Sequence, residues 1–109
     1  MAIKDRRQAP RVKVNLPARW EGVLAQREAT VTNLSVNGCF VLTGGNVEQK
    51  ELVRLEINLP DGEPIYLWSE VVDPAEEIGF AVRFTSTSDE EHARLEEYIN
   101  EVLSQSESI

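Results

Sequence analysis

From Val12 the sequence alternates: Val12, Val14, Leu16, Ala18 and Trp20 fall on one face, and Lys13, Asn15, Pro17, Arg19 and Glu21 on the other. A period of two marks a half-buried β-strand and decides which residues face a core. Pro17 has no amide hydrogen, so its place is an edge or a bulge. Five more short β-rich runs follow, at Ala29–Leu34, Cys39–Leu42, Leu52–Leu59, Ile65–Val72 and Ile78–Phe84. The turn-formers Gly44-Gly45-Asn46, Pro60-Asp61-Gly62 and Asp73-Pro74 separate them. Val53, Leu55, Ile57 and Leu59 point one way, and Pro60-Asp61-Gly62 supplies a preset φ, an acceptor side chain and a positive-φ residue, which predicts a hairpin into Ile65.

Six short strands with little between them call for an antiparallel sandwich or barrel, and closure removes the exposed edges. The expected fold is therefore all-β, a six-stranded antiparallel, split β-barrel. Near the end of the chain the period changes. Ser88 and Glu91 have capping-box spacing, and Leu95, Tyr98, Ile99, Val102 and Leu103 recur at helical intervals. This is a C-terminal amphipathic helix with Glu96, Glu97 and Glu101 on its outer face, expected to fray over Ser104–Ile109. A chain of 109 residues has room for one domain. That domain is expected over residues 12–109, behind a flexible basic N-terminal arm of residues 1–11.

The formal charge of −8 hides an asymmetry. Residues 1–13 hold Lys4, Arg6, Arg7, Arg11 and Lys13 against Asp5 alone, a net +4, which leaves −12 on the other 96 residues. DNA or RNA rewards a broad basic face and interleaved aromatics. Here the body is acidic and aromatics are 6% of the chain, so neither is an expected partner. A short cationic arm suits a compact anion; its other reading is a solvated tail. No apolar run approaches the roughly 20 residues that span a bilayer, and direct membrane insertion is not expected. The lone Cys39 and an N-terminus without an apolar segment after its basic residues point to a reducing cytoplasm.

Catalytic chemistry finds little support. His92 is the only histidine and has no cysteine beside it, so metal and triad spacings are missing. Asp89-Glu90-Glu91 is explained by the positive end of a helix dipole. Gly44-Gly45 is followed by no lysine at phosphate-loop spacing. Cys39 lies in the apolar run Cys39-Phe40-Val41-Leu42, which reads as a buried, inert thiol. No enzyme, no metal and no cofactor are expected.

Two polar strings remain. In Arg6-Arg7-Gln8-Ala9-Pro10-Arg11, Pro10 prevents an ordinary helix and leaves an extended or turned arm whose guanidinium forks can chelate phosphate or the O6/N7 edge of guanine. Asn33-Leu34-Ser35-Val36-Asn37-Gly38 is a tight polar turn between two strands, and alone it is no more than that. Together, in this order and spacing, the strings resemble the PilZ domain family, whose signature is RxxxR followed by [D/N]xSxxG. Arg7 and Arg11 match the arginine pair, Arg6 is the extra basic neighbour, and Asn33, Ser35 and Gly38 match the turn. Gly79-Phe80-Ala81-Val82-Arg83-Phe84 is similar to the family's late G-x-x-V-x-F strand, so residues 6–103 are covered.

The resemblance implies a six-stranded barrel that binds cyclic di-GMP, with Arg6, Arg7 and Arg11 gripping phosphate and guanine while Asn33, Ser35 and Gly38 hold a guanine edge. It implies a receptor that changes conformation and signals to a downstream protein the sequence does not identify. Asn33 stands where many members carry Asp; its carbonyl still accepts a hydrogen bond, without charge assistance. A PilZ-like adaptor that binds no nucleotide is the rival. Trp68, on a strand, offers an apolar wall to a nucleobase, whereas Trp20 ends the alternating face and belongs to the core.

Overall fold

The computed structural model describes residues 10–23, 25–44, 47–75 and 78–107. Six strands, β1 (Val12–Glu21), β2 (Gln26–Leu34), β3 (Gly38–Leu42), β4 (Leu52–Asn58), β5 (Pro64–Ala75) and β6 (Gly79–Ser86), precede one helix, α1 (Asp89–Glu107). All pairs are antiparallel and the order β1-β2-β3-β6-β5-β4 closes into a barrel. The inward residues are those the alternation selects: Leu16, Ala18 and Trp20 on β1, Val53, Leu55 and Ile57 on β4, and Phe80 and Val82 on β6 are all buried. Val12 joins them, while Val14 is half-buried against the core. Trp20 meets Phe80 edge to face, with centroids 5.2 Å apart, and its Nε1 donates to Thr43 Oγ1 at 3.0 Å, so the indole is both packed and satisfied.

Pro17 sits where its chemistry is tolerated. The register of β1 on β2 shifts between Lys13 and Leu16, and β1 pairs with β4 only from Ala18 onward. The Pro60-Asp61-Gly62 reversal forms as expected: Gly62 has φ 100°, its amide donates to Leu59 O at 3.0 Å, and Glu63 N donates to Asp61 Oδ1 at 3.0 Å.

Three expectations need correction. Asp73-Pro74 is no turn; β5 runs through it to Ala75. The register shifts between Val71 and Asp73, and β4 pairing has ended at Glu70, so Pro74 has β6 alone as a neighbour and removes no ladder bond on the other side. Strand β2 begins at Gln26 rather than Ala29, because the hairpin from β1 closes tightly with Gly22 N donating to Ala25 O at 2.8 Å. The helix continues to Glu107 instead of fraying from Ser104.

Helix α1 is tied to the barrel by its first two turns. Ser88 caps it, with Glu91 N donating to Ser88 Oγ at 3.1 Å. The Glu91 carboxylate also accepts from Tyr66 N at 3.0 Å on β5, beyond the point where β6 has ended, and so replaces a missing ladder partner. Arg94 reaches back to the β4–β5 turn. It donates to both Asp61 carboxylate oxygens at 2.8 and 2.9 Å, to Glu63 O at 2.7 Å and to Pro64 O at 3.3 Å. Leu95 and Ile99 are buried behind these contacts, with Tyr98, Val102 and Leu103 packed at the margin.

Candidate functional site

The Asn33–Gly38 turn joins β2 to β3, and most of its own polar groups close it. Ser35 N donates to Gly38 O at 2.9 Å, and Ser35 Oγ accepts from Asn37 N at 3.1 Å while lying 3.5 Å from Gly38 O. This serine-type turn explains why Ser35 is buried although it is polar. Gly38 is needed for a different reason. A Cβ there would lie 2.2 Å from Val82 O, so only glycine lets β6 approach this closely. Phe84 N then donates to Asn37 O at 2.8 Å, and the turn is fastened to β6 on both sides of Arg83.

The barrel also brings Arg11 to the turn. Val12 lies opposite Leu34 and Lys13 opposite Asn33, so Arg11, which precedes Val12, enters the sheet beside Ser35, which follows Leu34. Arg11, Lys13 and Asn37 are exposed and Asn33 is half-buried. Among the described residues nothing is hydrogen bonded to the Asn33 amide and nothing pairs with the Arg11 guanidinium. Arg6 and Arg7 lie outside the described residues. Among the described residues the arrangement is an open polar surface: a turn closed by its own hydrogen bonds, an unpartnered Asn33 side-chain amide and an arginine at its β1 side.

On the β6 side of the same turn, Arg83 lies opposite Gly38 and pairs with Glu70 of β5. Sequence reading passed over Arg83, although its place between buried Val82 and half-buried Phe84 marks it as outward-facing. Trp68 is remote in register. It pairs with Ser86, and its half-exposed ring lines a different groove of about 380 Å³ with Arg54, Tyr66, Ser88 and Glu91. There the Arg54 guanidinium lies 4.9 Å from the Tyr66 ring centroid.

The residues set aside as non-catalytic fall where their structural readings put them. Cys39 is buried in the core, and desolvation pushes its thiol far above the ordinary range, which leaves it unreactive. His92 is exposed on α1. Among the described residues no group of three histidine, cysteine or carboxylate side chains is placed to hold a metal, and no helix is long and apolar enough to cross a membrane.

Compared with known proteins, residues 5–101 match the PilZ domain family profile. Three solved structures share the fold. The inhibitor of motility MotI/DgrA from Bacillus subtilis is 23% identical with TM-score 0.76, covering 91% of this chain and 52% of its own, so this chain spans about half of that protein. The PilZ domain of YcgR from Escherichia coli, solved with c-di-GMP, is 13% identical with TM-score 0.73, covering 94% and 95%. The PilZ domain of CeSA from a cellulose-synthesizing bacterium is 16% identical with TM-score 0.67, covering 90% and 99%. No curated protein matches the sequence.

Proposed function

This chain belongs to the PilZ domain family, and on that premise we propose that it is a receptor that binds cyclic di-GMP at the Asn33–Gly38 turn and relays the binding to a partner protein. The observation that carries the reading is the β1–β2 register, which delivers Arg11 to the side of Ser35 and so joins two strings that the sequence holds more than twenty residues apart. The c-di-GMP in the YcgR domain supports it.

In this reading Arg6, Arg7 and Arg11 close over the ligand. Their planar forks donate in pairs to phosphate oxygens and to the guanine O6/N7 edge, which a lysine point charge does less well. The Asn33 amide, which has no partner among the described residues, accepts from a guanine N–H through its carbonyl. Ser35 and Gly38 contribute by keeping the turn in one shape, so that no ordering is required there when ligand arrives. No bond is made or broken; the output is a changed surface where the arm has folded down. That the Bacillus neighbour is an inhibitor of motility favours output through a protein partner.

The rival adaptor reading is favoured by one observation: Ser35 and Gly38 are fully explained by turn closure and by the approach of Val82. Isothermal titration separates the two. The receptor reading expects saturable heat with cyclic di-GMP that Arg7→Ala or Arg11→Ala diminishes. A flat titration of folded protein at high micromolar ligand supports the adaptor.

A further inference from the structure

The cations around the barrel are committed in different ways. Arg94 is held by Asp61 and two carbonyls, and Arg54 by the Tyr66 ring and Glu21. The remaining ones nearest the turn bracket it. Arg11 and Lys13 lie along its β1 side, and Arg83 lies across from Gly38 on its β6 side. Gly38 presents no side chain between Arg83 and the open face of the turn, and paired residues on neighbouring strands are only about 5 Å apart at Cα. Val82 pairs with Cys39 and Phe84 N bonds Asn37 O, so the backbone carrying Arg83 cannot drift from the turn.

The present partner of Arg83 is an exchangeable one. Its side chain is 60% exposed while that of Glu70 is 22% exposed, and exposed ion pairs of this kind contribute little to stability. Glu70 engages the Arg83 guanidinium through one oxygen and one nitrogen only, whereas a phosphate can take the fork with two parallel hydrogen bonds.

We propose that Arg83 is a further ligand-gripping residue, which leaves Glu70 for a phosphate of the nucleotide seated on the Asn33–Gly38 turn, so that Glu70 acts as a built-in competitor that sets affinity. The inference rests on the receptor reading and extends it to the β6 side of the turn. It also supplies a route outward. Glu70 lies opposite the exposed Leu52 and two residues from Trp68 on the same face of β5. Releasing Arg83 therefore uncovers a negative charge beside the exposed Leu52 and Trp68 side chains of β4 and β5.

The test is titration with cyclic di-GMP of the wild type, Arg83→Gln and Glu70→Gln, each checked for native fold by circular dichroism. Arg83→Gln is expected to weaken binding about tenfold, the scale of one charge-assisted contact made partly in solvent. Glu70→Gln is expected to tighten it about threefold, because the competitor is gone. The opposite signs are the signature, since a pair with a structural role alone would move both variants in one direction. Wild-type binding with Arg83→Gln unchanged, or with Glu70→Gln weakened alongside it, overturns this inference and leaves the receptor reading standing. No binding by wild type overturns both.

Discussion

Two polar hairpin turns of this barrel are built from similar residues and behave differently. The Pro60-Asp61-Gly62 turn is clamped: Arg94 holds Asp61 and the Glu63 and Pro64 carbonyls, and α1 packs behind it. The Asn33–Gly38 turn closes on itself through Ser35, is fastened to β6, and leaves the Asn33 amide and the neighbouring Arg11 without partners among the described residues. Sequence alone shows an arginine and a polar turn in both cases. What separates a structural arginine from a binding one is how far the fold has already committed it: both terminal nitrogens of Arg94 are engaged by four acceptors of the turn, which leaves few of its five N–H donors for a ligand.

That contrast can be broken by variants, and the largest effect is expected at Gly38. Gly38→Ala forces a Cβ to within 2.2 Å of a backbone oxygen that cannot rotate away, and should cost about 3 kcal/mol in urea unfolding. Gly62→Ala meets nothing within 4 Å and pays only for its positive φ, about 1 kcal/mol. Equal losses at the two glycines would mean that the approach of β6 to the turn is not as tight as described.

Next come the two arginines, which should separate stability from binding. Arg94→Ala removes a partly buried guanidinium from one carboxylate and two carbonyls and should lower stability by about 2 kcal/mol while leaving nucleotide affinity unchanged. Arg11→Ala should do the reverse, with the melting temperature unchanged and binding weaker by about 1.5–3 kcal/mol. Asn33→Asp sharpens the contrast further, because it gives the free amide position a charged acceptor. Titration calorimetry should show affinity kept or raised, and a loss without unfolding would remove Asn33 from the acceptor role.

The smallest effect is one of pH. The Glu63 amide first, and Arg94 second, hold the Asp61 carboxyl below its ordinary value. Its ionised form is therefore favoured by folding, and the contribution is fully present above the unfolded value and lost as pH falls through the lower folded one. Melting temperatures measured from pH 5 down to pH 2 should fall more steeply for wild type than for Asp61→Asn. The Asp61 carboxylate is more than half exposed, so solvent screens it and the difference in slope should be slight.

Local pattern carried most of the fold. The alternation from Val12 to Trp20 picked out the inward face, and Ser88 with Glu91 marked the start of α1. Asp73-Pro74 misled because its tolerance depends on β4 having ended at Glu70, a fact of register that no local window contains. The Arg94 clamp escaped notice for the same reason, since its acceptors lie some thirty residues away in the chain. At the candidate site both halves were visible as strings. Their meeting depends on β1 and β2 pairing Val12 with Leu34, and Arg83 enters only through the pairing of β6 with β3.

The most direct test of the account is a map of amide chemical shifts of the full chain as cyclic di-GMP is added. The account predicts saturable changes at Arg11–Lys13, Asn33–Gly38 and Arg83, with Asp61–Pro64 and Arg94 still. Changes centred on the Asp61–Arg94 end, or a spectrum that does not move at high micromolar ligand, would contradict it.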